Sequence, residues 1–232
     1  MNKERLKNGL EKMGIAADET ALDRFEAFHA ILDEYNARMD LTAVLDEDER
    51  VDRHDLDSAA PLAHGLLMPG AKVIDVGTGA GFPGIPLLIM RPDLQMTLLD
   101  ALNKRIEFLS FTLERLGLAA DCVHLRAEDA GRSEKYRQRF DAALTRAVAP
   151  LPVLLELTVP LVRVGGQSIA YKGDAAAELA DAANACQALR CTLETIPVEA
   201  AYGARTLVVA KKRAETPGKY PRKAGTPSKQ PL

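Results

Sequence analysis

Asp75, Gly77, Gly79, Gly81 and Gly84 fall within one stretch, Lys72-Val73-Ile74-Asp75-Val76-Gly77-Thr78-Gly79-Ala80-Gly81-Phe82-Pro83-Gly84. An apolar strand that runs into an acid and then into clustered glycines is suited to hold a nucleotide. Glycines let the backbone turn sharply and approach a ligand without a Cβ in the way, and the helix that follows directs N–H groups at it. Gly79 to Gly84 also read as G-x-G-x-x-G, a weak signal on its own. A second acid, Asp100, ends the next apolar run, Met96-Thr97-Leu98-Leu99. Doubly wound sheets place at that point a carboxylate that accepts from both ribose hydroxyls.

The position of Asp75 separates two cofactor classes. An acid two residues before the first glycine resembles the Asp/Glu-x-Gly-x-Gly-x-Gly loop of S-adenosylmethionine-dependent methyltransferases. The same turn occurs in NAD(P)-dependent oxidoreductases, which remain the alternative at this level, as does a non-catalytic RNA-binding ribosome-assembly factor on a methyltransferase-like fold.

Positioning such a loop requires alternating strands and helices. Strands are predicted over 72–76, 95–100, 121–125, 140–145 and 168–171, with helices after Gly84, over 104–116 and over 152–162. Gly165-Gly166 reads as a turn, the alanine-rich run 175–189 as one helix, and 193–198 with 206–211 as a closing antiparallel pair. Upstream, apolar residues at steps of three and four (Leu6, Leu10, Met13; Leu22, Phe25, Phe28, Ile31, Leu32, Tyr35) predict two or more helices. Asp18 or Thr20 is expected to cap the second, and Asp46 a third running toward Leu67. The expected fold is α/β: a doubly wound, mostly parallel, Rossmann-like sheet of about seven strands, the last antiparallel. Its parts are a helical cap (1–68), a core (69–213) and a basic Pro/Gly-rich C-terminal arm (214–232), together one compact domain.

A chain of 232 residues, 47% of them hydrophobic, can bury one α/β core but not two large domains. No apolar run reaches membrane-spanning length and the N-terminus is charged, so a cytoplasmic protein without a membrane partner is expected. Cys122, Cys186 and Cys191 form no Cys-x-x-Cys pair, and His29, His64 and His124 have no ligand spacing, so no metal is expected. The net charge of −3 excludes a protein that coats nucleic acid indiscriminately. Basic residues cluster late (Arg205, Lys211, Lys212, Arg213, Lys219, Arg222, Lys223, Lys229), and the prolines among them predict an extended arm that follows a phosphate backbone.

Several separate segments together resemble the bacterial 16S ribosomal RNA guanine-N7 methyltransferase G family, also called glucose-inhibited division protein B. They are Tyr35-Asn36, Asp40 to Ala43, Arg53-His54 with Asp57-Ser58, Asp75 to Pro86, Asp100 with Lys104-Arg105 and Phe108-Leu109, and Arg126 to Glu128. Phe140-Asp141, Thr145 to Leu151, Lys172-Gly173, Thr216-Pro217, Lys219 to Arg222 and Gly225 complete a match over nearly the whole chain. Tyr35, Asp40, Ala101 and Thr145 depart from residues common in that family. The resemblance implies S-adenosylmethionine as cofactor, 16S rRNA or the small ribosomal subunit as partner, methylation of N7 of one guanine in the decoding-region loop, and a monomer. It assigns cofactor binding to Gly77, Gly79, Gly81, Phe82, Asp100, Ala127, Glu128 and Arg146. Gly77 and Phe82 line the methionine and ribose side, and Ala127-Glu128 the adenine. Arg146 is also the leading catalytic residue, at the carboxyl edge of its strand. Lys104, Arg105 and Lys172 are candidate phosphate contacts, whereas His54 is read as structural.

Overall fold

A computed structural model describes residues 1–200 and 202–232. The chain opens with α1 (Lys3–Lys12) and α2 (Glu19–Met39), whose first turns are closed by the side chains of Asn2 and Asp18 accepting from Arg5 N and Ala21 N. These bonds satisfy N–H groups that the helices cannot. Asp46 does the same for α3 (Glu47–Arg50). Without a break in helical dihedrals, α3 continues through a π-helical stretch, Val51–Leu56, into α4 (Asp57–Ala63).

The remaining elements alternate: β1 (Lys72–Val76), α5 (Gly84–Met90), β2 (Gln95–Asp100), α6 (Asn103–Leu116), β3 (Asp121–His124), α7 (Ala127–Ala130), β4 (Phe140–Arg146), α8 (Leu151–Thr158) and β5 (Val162–Lys172). Helices α9 (Ala176–Asp181) and α10 (Ala183–Leu189) lead to β6 (Cys191–Val198) and β7 (Arg205–Lys212), and a short α11 (Thr226–Lys229) lies near the end. The strands form one sheet of order β3-β2-β1-β4-β5-β7-β6, parallel except for β7, which is antiparallel to both neighbours. Strand order reverses between β1 and β4. The carboxyl ends of those strands therefore flank the crevice where open sheets take ligands.

Side chains alternate across the sheet. Val73, Leu98, Leu144, Ile169, Tyr171, Leu207 and Val209 share a core with Leu6, Phe25 and Phe28, so the N-terminal helices pack directly on the sheet, beside α5 and α6. Ile74, Val76, Leu99 and Ala143 face the other way, as do Ala170, Val208 and Ala210 beneath α8 and α10. Strand β1 is buried along Val73–Val76, as a strand covered on both faces must be.

Three predicted features differ from the structure. Gly165-Gly166 is not a turn: both lie inside β5, where the pairing with β4 shifts register, and a Cβ on Gly166 would stand 2.6 Å from Asp141 O. The alanine-rich run is two helices that bend at the fully buried Ala182. The C-terminal segment is not an extended arm. The Arg137 guanidinium donates to the carbonyls of Thr216, Pro217 and Tyr220, Glu156 binds Arg222 through both oxygens, and Glu128 accepts from Gly225 N. Composition reports the segment's cations but not the buried groups elsewhere that receive it.

Candidate active site

The glycine loop is drawn tight by the two acids that bracket it. Asp75, fully buried, accepts from Thr78 Oγ1 (2.6 Å) and Gly84 N (3.0 Å) through one oxygen, and its other oxygen has no protein partner. Burial pushes its pKa up to about 6 despite those bonds. Asp100 accepts from Gly79 N (3.0 Å), Leu102 N (2.9 Å) and Arg105 Nη1 (3.3 Å). A carboxylate has about four acceptor directions, so one remains.

The glycines divide by what surrounds them. Gly81 (φ +93°) and Gly84 have no room for a side chain: a Cβ would meet Ile85 Cδ1 at 2.5 Å and Leu98 Cδ2 at 2.4 Å. They serve the packing of loop on helix. At Gly79 (φ +61°) the nearest atom is Gly77 O at 4.0 Å, so that side of the turn is open, and at Gly77 a Cβ would run into Val148 Cγ2 at 2.8 Å. Val148 and Leu102 are exposed apolar side chains, 41% and 45% accessible, on the loops after β4 and β2 that border the glycine turn. An open glycine face, one free acceptor direction on Asp100 and two exposed apolar side chains fit a ligand with a ribose and a flat base.

Phe82, expected to line that ligand, is only 6% exposed and forms the floor beneath a polar cluster. Its ring packs on Phe28 (5.2 Å between centroids) and His54 (4.5 Å), and the Arg146 guanidinium lies 5.1 Å from its centroid. Arg146, at the carboxyl end of β4, donates through Nη1 to Arg53 O (3.1 Å) and Asp57 Oδ2 (3.1 Å), and Nη2 stands 3.4 Å from His54 Nδ1. The other ring nitrogen of His54 is 2.8 Å from Thr42 Oγ1. Desolvation, reinforced by the Arg146 charge, lowers the His54 pKa to about 4, so the imidazole is neutral at pH 7. Nδ1 also stands 3.1 Å from Arg53 O, a carbonyl that only accepts, so the ring proton sits on Nδ1 and Nε2 accepts from the Thr42 hydroxyl, whose oxygen takes Val44 N–H. Asn36 in turn clamps Thr42 by its N–H and carbonyl, each at 2.9 Å. His54, read as structural from sequence, thus links the Asn36–Thr42 segment to Arg146.

Asp57 is the centre of this cluster. Only 5% exposed, it accepts from Arg146, from Arg205 Nε (2.9 Å) and Nη2 (2.8 Å), and from Tyr202 Oη (2.7 Å). Burial alone would raise its pKa, but the Arg205 bonds and the two guanidinium charges outweigh burial and hold it below the usual value. Behind Asp57, the buried pair His29–Asp55 (2.8 Å) ties the helical rod to α2.

Other expected contacts are placed differently. Glu128 is buried and binds Gly225 N, so at least one of its oxygens holds the C-terminal segment and not a ligand. Lys172 donates to Ala149 O and Glu178, an internal role, and Arg105 neutralises Asp100, while Lys104 is exposed. Sequence reasoning gave Asp57, Leu102, Tyr202 and Arg205 no part in the site. A signal existed for Arg205, an isolated cation that opens the apolar strand Thr206–Ala210, but its partner lies 148 positions away.

The family model for rRNA small subunit methyltransferase G matches residues 21–208. The chain belongs to that family. Proteins of the same name are 42% identical in Caldanaerobacter subterraneus subsp. tengcongensis, over 99% of this chain and 98% of that one, and 43% identical in Lactobacillus delbrueckii subsp. bulgaricus over the full length of both. Among solved structures, a tRNA methyltransferase from Aquifex aeolicus (TM-score 0.53, 14% identity, 68% of this chain and 69% of that one) and a methyltransferase from Pyrococcus furiosus (TM-score 0.50, 14%, 82% and 98%) share the fold. Among the described residues no helix is long and apolar enough to cross a membrane, and no three His, Cys, Asp or Glu gather as a metal site.

Proposed function

We propose that this rRNA small subunit methyltransferase G family member uses S-adenosylmethionine to methylate N7 of one guanine in the decoding-region loop of 16S rRNA. The observation that carries this chemistry is that the polar groups of the cluster are committed to one another. His54 is neutral with its two ring nitrogens held by Arg53 O and the Thr42 hydroxyl, and Asp57 receives four hydrogen bonds from three side chains. Such a cluster orients a substrate and does not remove a proton from it. Guanine N7 carries an in-plane lone pair and loses no proton on methylation, so orientation is what the reaction needs.

When bound, the cofactor supplies an electrophilic methyl group on a sulfonium. The chain's part is to hold both reactants. Gly77, Gly79 and Asp100, with Ala127, Leu102 and Val148 around them, are the groups to receive the nucleoside half. Gly81 and Phe82 act from below by fixing the loop. Arg146 retains N–H groups not used inside the protein and suits guanine O6, the acceptor beside N7. The carboxylate of Asp57 offsets its charge as the purine becomes cationic.

The test is incubation with labelled methyl donor and either small subunits or naked 16S rRNA, followed by mapping of the modified nucleotide. Label at a single guanine N7 is expected. Binding of RNA without incorporation would identify a non-catalytic assembly factor instead, and label on another atom would end the N7 reading.

A further inference from the structure

We propose that the tip of the β6–β7 hairpin belongs to the active site, with Arg205 and Tyr202 as positioning residues that fix Arg146 through the carboxylate of Asp57. The proposal rests on the methylation reading for its kinetic test only.

Arg205 grips Asp57 through both oxygens, Nε on Oδ1 at 2.9 Å and Nη2 on Oδ2 at 2.8 Å, and Tyr202 Oη adds a second bond to Oδ1 at 2.7 Å. This bidentate fork sets the plane of the carboxylate. One direction on Oδ2 is left for Arg146 Nη1 at 3.1 Å, and the same Nη1 also reaches Arg53 O at 3.1 Å. The Tyr202 ring is held in turn between Arg53 and Arg205, each guanidinium 5.5 Å from its centroid. Tyr202 and Arg205 come from the outer end of the sheet, Arg146 from the strand beside the glycine loop, and Asp57 from the helical rod above them. With the hairpin withdrawn, the carboxylate is free to turn and pair with Arg146 through both oxygens. That would pull the guanidinium off Arg53 O and away from His54 and the Phe82 floor.

The mechanism predicts non-additivity. Asp57→Asn and Arg205→Ala should each lower kcat about 30-fold, with KM for S-adenosylmethionine and the Kd for S-adenosylhomocysteine within about threefold, and the double variant should be no slower than the worse single. Tyr202→Phe, which keeps the ring between the arginines, should lower kcat about threefold. A reading without turnover comes from the His54 ring protons by NMR. Arg146 helps depress the His54 pKa, so displacing it in Arg205→Ala should raise the midpoint from about 4 by about half a unit or more. If Arg205→Ala does not fold, Arg205→Lys, which keeps the charge but loses the fork, serves both measurements.

Losses that multiply in the double variant, or cofactor affinity that falls together with kcat, would overturn the proposal, because Arg205 would then act on RNA or on the fold as a whole. An unmoved His54 midpoint would overturn it as well. A wild-type protein inactive on small subunits would refute the methylation reading alone, and the His54 titration would still decide the positioning of Arg146.

Discussion

Arg146 is a cation held at the switch point by groups that leave part of its fork free. Replacing it with Ala should abolish most methyl transfer and keep S-adenosylhomocysteine affinity within about tenfold, roughly 1.4 kcal/mol, in calorimetry. A larger loss of affinity would make it a cofactor residue. His54 provides a second test at this scale, through pH. Its folded pKa is lowered from 6.5 to about 4, so on acidification the unfolded chain takes up a proton first, and the stability due to neutral His54 is lost progressively between those values. Asp75 acts in the opposite sense: its raised pKa makes the folded state the better proton acceptor from about 6 down to 3.8. Comparing the wild type with His54→Asn cancels the Asp75 contribution. The Tm advantage of the wild type should shrink steadily from pH 6.5 to pH 4, and a constant difference would mean that His54 is not buried neutral.

Among the elements, the C-terminal segment departs most from what its composition suggests. Six of the eight late cations are engaged within the fold: Arg205 on Asp57, Lys211 on Glu194, Lys212 on the carbonyls of Val159 and Val162, Arg213 on Thr192, Lys219 against Tyr220 and Arg222 on Glu156. Glu156 is fully buried, so Arg222→Ala leaves a carboxylate without its counter-charge in the interior. The expected cost is about 3 kcal/mol, read as a lower urea midpoint at unchanged slope. An effect below about 1 kcal/mol would mean that the segment is only loosely seated. Removing the chain after Lys212 should therefore lower Tm before any effect on RNA can be read.

For the whole molecule, the net charge of −3 and the internal use of most late cations leave the C-terminal segment with few free positive groups, while Lys7, Lys12, Lys104, Arg132 and Arg190 are exposed elsewhere. Lys223 and Lys229 are exposed, on the segment that Glu128 anchors beside α7. Replacing both with Ser should reduce the slope of log K against log salt by about 1.4 for single-stranded RNA, at 0.7 per phosphate contact. A fall of 3 or more would show that the tail detaches and binds RNA as an extended arm.

Sequence alone determined the features that are local along the chain. The run from Lys72 to Gly84 carries its strand, its acid and its glycines within a few residues, and the periodicities of Leu22–Tyr35 and Thr206–Ala210 fix helix and strand because each residue's environment repeats with the backbone. The mostly parallel sheet followed from that alternation, whereas its strand order, with the reversal between β1 and β4, is a property of the tertiary structure. Tertiary structure decided which polar groups meet. Asp57 and Arg205 stand 148 positions apart, Glu128 and Gly225 97, and Arg146 and His54 92, and no period in the sequence encodes such pairings. A buried charge is stable only beside its counter-charge, so the partner chosen in the fold determines whether an Arg or Glu serves a ligand or the protein itself. For that reason Glu128 and Arg222, legible as functional residues in the sequence, hold the C-terminus, and Arg205, legible only as part of a basic tail, grips the Asp57 carboxylate that also binds Arg146.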